Sequence, residues 1–67
     1  MPYTFEQLEE AYENLWENTL TKKDDGYFLQ LNDGESETFK TFEELLTFTL
    51  GEEDLESYLE ELYSENN

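Results

Sequence analysis

Carboxylates are the one plentiful functional group in this chain. Asp and Glu together number 19, against three Lys and no Arg, and there is no His and no Cys. Carboxylates can do three kinds of chemistry. Two held about 5–9.5 Å apart can hydrolyse a glycosidic bond. Oxygens at alternate positions of a tight loop can hold calcium. Carboxylates in a row can repeat the charge spacing of a nucleic-acid backbone.

The first two fail on the residues present. Glycoside hydrolysis needs a cleft of roughly several hundred Å3 around the pair, and 67 residues leave little room for one. Without His, Cys or Arg, the remaining catalytic tools are carboxylates, Tyr, Lys and hydroxyls. The chain is therefore not expected to be an enzyme, and no catalytic or cofactor-binding residue is assigned. An EF-hand loop places oxygen ligands at its first, third and fifth positions and Gly at the sixth. Aligning Gly26 puts Thr21 and Lys23 at the first and third positions, and aligning Gly34 puts Leu29 and Leu31 there. Neither register can hold the ion, so no metal site is expected.

The third chemistry survives. Glu6, Glu9, Glu10, Glu13 and Glu17 fall along one flank of a helical pattern. Carboxylates at i and i+4 lie about 6 Å apart along a helix axis, close to the roughly 6.8 Å of two base steps along one DNA strand. Asp33, Glu35 and Glu37 cluster at a turn, and Glu53, Glu56 and Glu60 run down a later helix. These eleven residues are the candidate partner-binding set. The partner would be a basic, nucleic-acid-binding protein. Nucleic acid itself would be repelled, because phosphate contacts need Lys and Arg. The net charge of −16 also opposes folding by self-repulsion. Same-sign i,i+4 pairs such as Glu9 and Glu13 each cost roughly 0.2–0.5 kcal/mol.

The elements that must position these groups follow from apolar periodicity. A first helix is expected over residues 4–20, with Thr4 and Gln7 as a capping box and a buried stripe of Phe5, Leu8, Tyr12, Leu15, Trp16, Thr19 and Leu20. Lys22 to Gly26 should end it, the lysines complementing the helix dipole. A hairpin spans Tyr27–Phe42, turning at Asn32-Asp33-Gly34. A second helix should run from Phe42 to Leu50 and stop at Gly51. The alternation of Leu46 to Leu50 leaves a third strand as its rival. A last helix covers 52–64 and buries Leu55, Tyr58, Leu59, Leu62 and Tyr63. The fold class is α+β: one small domain over 1–67, ordered α-β-β-α-α, its central antiparallel hairpin packed by acidic amphipathic helices. No basic leader or long apolar run is visible, so neither export nor membrane insertion is expected, and the chain reads as cytoplasmic. Its oligomeric state, monomer or dimer, is left open.

A tiny, Cys-free, intensely acidic domain with a hairpin between acidic helices resembles the small phage-encoded inhibitors of bacterial defence, anti-CRISPR proteins in particular. Anti-restriction DNA mimics and uracil-DNA glycosylase inhibitors share that charge logic. The resemblance implies a phage protein acting in the host cytoplasm, blocking DNA binding by a CRISPR effector or another defence nuclease through its acidic faces. Separately, Tyr3 is expected as an exposed anchor, since binding hot spots favour Tyr and Trp over charge alone. Two alternatives stand beside it: a general acidic interaction module, such as an antitoxin or adaptor masking a basic partner, and an ordinary domain adapted to high salt.

Overall fold

The computed structural model describes residues 3–63. Their order is α1 (Phe5–Trp16), β1 (Thr19–Lys23), β2 (Gly26–Gln30), β3 (Ser36–Phe39), α2 (Phe42–Leu50) and α3 (Glu53–Tyr63). This is a small α+β domain with one more strand than the sequence pattern suggested.

α1 starts where the capping box places it. The Gln7 N–H donates to Thr4 Oγ1 at 3.2 Å and the Thr4 N–H to Gln7 Oε1 at 2.9 Å. It ends early, at Trp16. Glu17 takes the left-handed conformation (φ 62°, ψ 32°) and the Asn18 N–H turns back to the Tyr12 carbonyl at 3.1 Å. Residues 19–23, expected as the last helical turn and its stop, form β1 instead. Leu20 explains the misreading, because four residues beyond Trp16 it satisfies a helical stripe. Paired across from Leu29 it satisfies a strand equally well, and Thr19 and Thr21 beside it are β-branched. Thr19, expected in the core, is exposed. Lys22 and Lys23 therefore sit on a strand, and none of the three helices has a basic residue in its last turn.

The sheet is antiparallel in the order β1-β2-β3. A two-residue turn, Asp24-Asp25, joins Lys23 to its partner Gly26. Gly26 has φ +147°, and a Cβ there would lie 2.3 Å from the Phe39 carbonyl oxygen; only glycine lets β3 approach so closely. The β2–β3 loop is closed by Leu31 N–H to the Glu35 carbonyl (2.8 Å), with Asp33 Oδ1 accepting the Glu35 N–H (3.0 Å). Cross-strand partners share a face. Leu20 with Leu29, and Tyr27 with Phe39, face the helices. Thr21, Phe28 and Thr38 face the other way, where the Lys23 ammonium lies 4.9 Å from the Phe28 ring centre.

α2 spans Phe42–Leu50 as the pattern predicts, so residues 46–50 are helix and the rival strand is excluded. Thr41 Oγ1 accepts the Glu44 N–H at 3.1 Å, and Glu44 Oε1 accepts the Lys40 N–H at 3.0 Å. α3 begins after Glu52, whose carbonyl accepts the Glu56 N–H at 2.9 Å. Ser64, its expected last residue, lies outside the described residues.

The core is Leu8, Ala11 and Tyr12 of α1, Leu20 and Leu29 of the sheet, Leu45 and Leu46 of α2, and Leu55 and Leu59 of α3. One polar pair sits inside it. The Tyr12 hydroxyl meets Thr49 Oγ1 at 2.8 Å, and Thr49 Oγ1 donates to the Leu45 carbonyl at 2.8 Å. Around it a run of aromatic rings, Phe5–Tyr27–Phe42 with centres 5.8 and 6.0 Å apart, ties α1, β2 and α2 together. Trp16, expected in the core, is half-buried against its edge, as are Tyr3 and Tyr58, and Leu62 is 47 % exposed.

Candidate acidic binding faces

The inward turn of Leu8, Ala11 and Tyr12 leaves Glu6, Glu9, Glu10 and Glu13 exposed along the outside of α1. Glu53 and Glu60 are exposed on α3, while Glu56 is half-buried. α1 and α3 pack together, and two tyrosines join their acidic flanks. The Tyr63 hydroxyl donates to Glu10 Oε1 at 2.7 Å. That bond, with burial and the Glu10 charge adding to it, pushes the Tyr63 phenol up to about 12. Tyr3 lies by Glu60 and Glu56; burial first and those two charges next raise its phenol above the ordinary value. Glu10, Glu56 and Glu60 thus belong to one surface shared by two helices. Sequence reasoning missed the Tyr63–Glu10 link, since nothing in the spacing of residues so far apart signals it.

Glu17 leaves the ridge on which the pattern put it. A left-handed conformation costs a residue with a Cβ roughly 1–2 kcal/mol, and the negative end of the α1 dipole lies at the same place. Glycine or asparagine is the usual occupant of such a cap. Neither fold stability nor helix propensity accounts for a glutamate there.

The hairpin tip belongs to a second grouping. The Asn32 N–H donates to Asn18 Oδ1 at 3.0 Å and Asn32 Nδ2 donates to the Trp16 carbonyl at 2.7 Å. These bonds clamp the β2–β3 loop to the end of α1. Between them and the α2–α3 corner opens a groove of about 560 Å3. Leu15, Trp16, Leu31 and Phe48 supply apolar wall, and Glu17, Asp33 and Glu52 bring a carboxylate each from a different part of the chain. Glu52 was outside the predicted set, and Phe48, 36 % exposed, had no predicted role. Glu35 and Glu37 are exposed nearby in sequence, Glu35 in the loop and Glu37 on β3 opposite Leu29. Asp33 spends one carboxylate oxygen on its own loop.

All three lysines gather at the opposite end of the sheet. Lys22 and Lys23 pair with Tyr27 and Gly26, and Lys40 follows Phe39, the other partner of Tyr27. Lys23 and Lys40 line one hollow of about 360 Å3. Asp24 and Asp25 sit at that end too, Asp25 in the same hollow, so the lysines are flanked by carboxylates there. Among the described residues no three His, Cys, Asp or Glu side chains converge as metal ligands, and no helix is long and apolar enough to cross a membrane. The chain matches no protein-family model, no curated protein and no solved structure.

Proposed function

We propose that the protein is a DNA-mimic inhibitor that occupies the cationic nucleic-acid-binding groove of a bacterial defence nuclease, a CRISPR effector above all. The observation that carries this reading is the placement of its charge. The α1 and α3 flanks carry exposed carboxylates that Tyr63 and Tyr3 join into one surface, and no described helix carries a lysine. Helical spacing sets those carboxylates about 6 Å apart along each axis, a spacing a groove built for phosphates can engage. A field of this sign and density accelerates encounter with a basic partner.

The test is competition. Purified guide-loaded CRISPR effectors and restriction nucleases are titrated with labelled duplex DNA and this protein. Displacement of DNA from one of them, weakening as salt rises, is the expected result. Reversing charge at Glu9 and Glu13 together, or at Glu35 and Glu37 together, should slow association while leaving the fold intact, because all four are exposed. Asp33 is a poor choice for reversal, since its carboxylate shapes the loop. Simultaneous binding of DNA and protein to every such enzyme, with association unchanged by either reversal, would refute the reading.

A further inference from the structure

We propose that the groove between the end of α1, the β2–β3 loop and the α2–α3 corner is a socket for an arginine side chain of the basic partner protein. This rests on the inhibitor reading and deepens it, by naming the residue that anchors the complex once charge has steered it into place.

The groove combines the two things a guanidinium group requires. Its planar face is weakly hydrated and stacks on aromatic surface, and its edge carries five N–H donors that fit carboxylates. Trp16 and Phe48 give the aromatic wall; Glu17, Asp33 and Glu52 give acceptors. No lysine lines the groove; Asp33 keeps one oxygen on the Glu35 N–H and has the other to offer. Its volume of about 560 Å3 admits an arginine together with neighbouring atoms of the segment carrying it. The walls are set before binding, because Asn32 holds the loop to Asn18 and to the Trp16 carbonyl. A preformed socket loses little conformational freedom on binding. Arginine and tryptophan are also the residues in which binding energy concentrates at interfaces. Lysine fits less well, since its compact, strongly hydrated ammonium neither stacks nor bridges two carboxylates.

The chain has one Trp, so its fluorescence reports on the groove alone. Hexa-arginine and hexa-lysine peptides carry equal charge and serve as probes. The arginine peptide should shift Trp16 emission saturably and bind roughly tenfold more tightly than the lysine peptide, the difference being stacking and bidentate bonding. Glu17→Gly and Glu52→Gln should each cut the arginine preference severalfold. Glu17→Gly should do so with an unchanged or raised Tm, which separates loss of the socket from loss of the fold. Equal affinity for the two peptides would overturn the proposal, as would an unmoved Trp16 signal, or a dimer in analytical ultracentrifugation whose Trp16 emission is already blue-shifted without peptide. The two readings fail separately. Loss of arginine preference with DNA competition retained sinks the socket alone, and arginine preference without DNA competition sinks the inhibitor reading.

Discussion

The buried Tyr12–Thr49 pair permits a sharp test of the core. Thr49 Oγ1 gives its proton to the Leu45 carbonyl, so the Tyr12 hydroxyl is the donor in the 2.8 Å contact between them. Both residues are wholly buried. The two deletions should therefore differ. Tyr12→Phe removes a donor and leaves Thr49 bonded to Leu45, at a cost of about 0.5–1.5 kcal/mol. Thr49→Val keeps the shape but strands a phenolic hydroxyl with no acceptor, at a cost of about 1–3 kcal/mol. The double variant removes both polar groups and should cost less than the sum, with a coupling of roughly 1 kcal/mol. For a domain of this size each kcal/mol lowers Tm by about 4–8 °C. A stability of roughly 3–10 kcal/mol exceeds these costs over all but the lowest part of that range. Urea melts and thermal melts on the four proteins complete the cycle. Equal losses from the two single changes, or strictly additive losses in the double, would refute the assignment of donor and acceptor.

Salt should stabilise the free protein, because Glu6/Glu10, Glu9/Glu13 and Glu56/Glu60 are same-sign neighbours one helical turn apart; a thermal midpoint that stays flat or falls from low to moderate sodium chloride would mean the faces do not strain the fold. Alkali should destabilise it through its tyrosines. Tyr12, raised to about 12 mainly by burial, and Tyr63, raised to about 12 mainly by its bond to Glu10, both favour the neutral phenol in the fold. Their contribution is complete below the unfolded value near 10 and is lost as pH climbs from there through 12. Tyrosinate absorbance should therefore lag that of free tyrosine until the fold melts, and Tyr63→Phe should remove part of the lag. Gly26→Ala should lower Tm steeply, since the new methyl meets the Phe39 carbonyl oxygen; an unchanged melt would mean that β3 moves aside at no cost.

Helix starts were legible in the sequence because a cap is a local device. Thr4 with Gln7, and Thr41 with Glu44, bond within three or four residues of themselves. α2 was legible at both ends for the same reason. The end of α1 was not. Leu20 fits both the helical and the alternating period, and only its pairing with Leu29, nine residues on, decides between them. Asp24-Asp25-Gly26 reads as a helix stop or as a hairpin turn, and the same pairing settles it. The acidic flanks of α1 and α3 could be read as exposed, since exposure follows periodicity. That Tyr63 joins them, and that Glu17, Asp33 and Glu52 share a groove, depends on how three separated elements pack. No short-range pattern carries that information.

The two acidic groupings act over different distances. Charges on the α1 and α3 flanks are felt out to the screening length, about 8 Å at physiological salt, so in the inhibitor proposal their part is to speed and orient encounter. Lysines among them would shorten that reach, and no described helix carries one: Lys22 and Lys23 lie on β1 and Lys40 follows β3. In the socket proposal the carboxylates of the groove act at contact, where apolar wall beside them lowers the local dielectric and strengthens each bond to a charged donor. Contact of that kind sets how long a complex lasts more than how fast it forms. Glu17 is where the two demands meet. It extends the acidic outline of α1, yet its left-handed backbone turns it toward the tip loop and away from the ridge. A glycine would cap the helix better and bring no charge. The socket proposal accounts for a glutamate in that position by what it faces, the mouth of the groove.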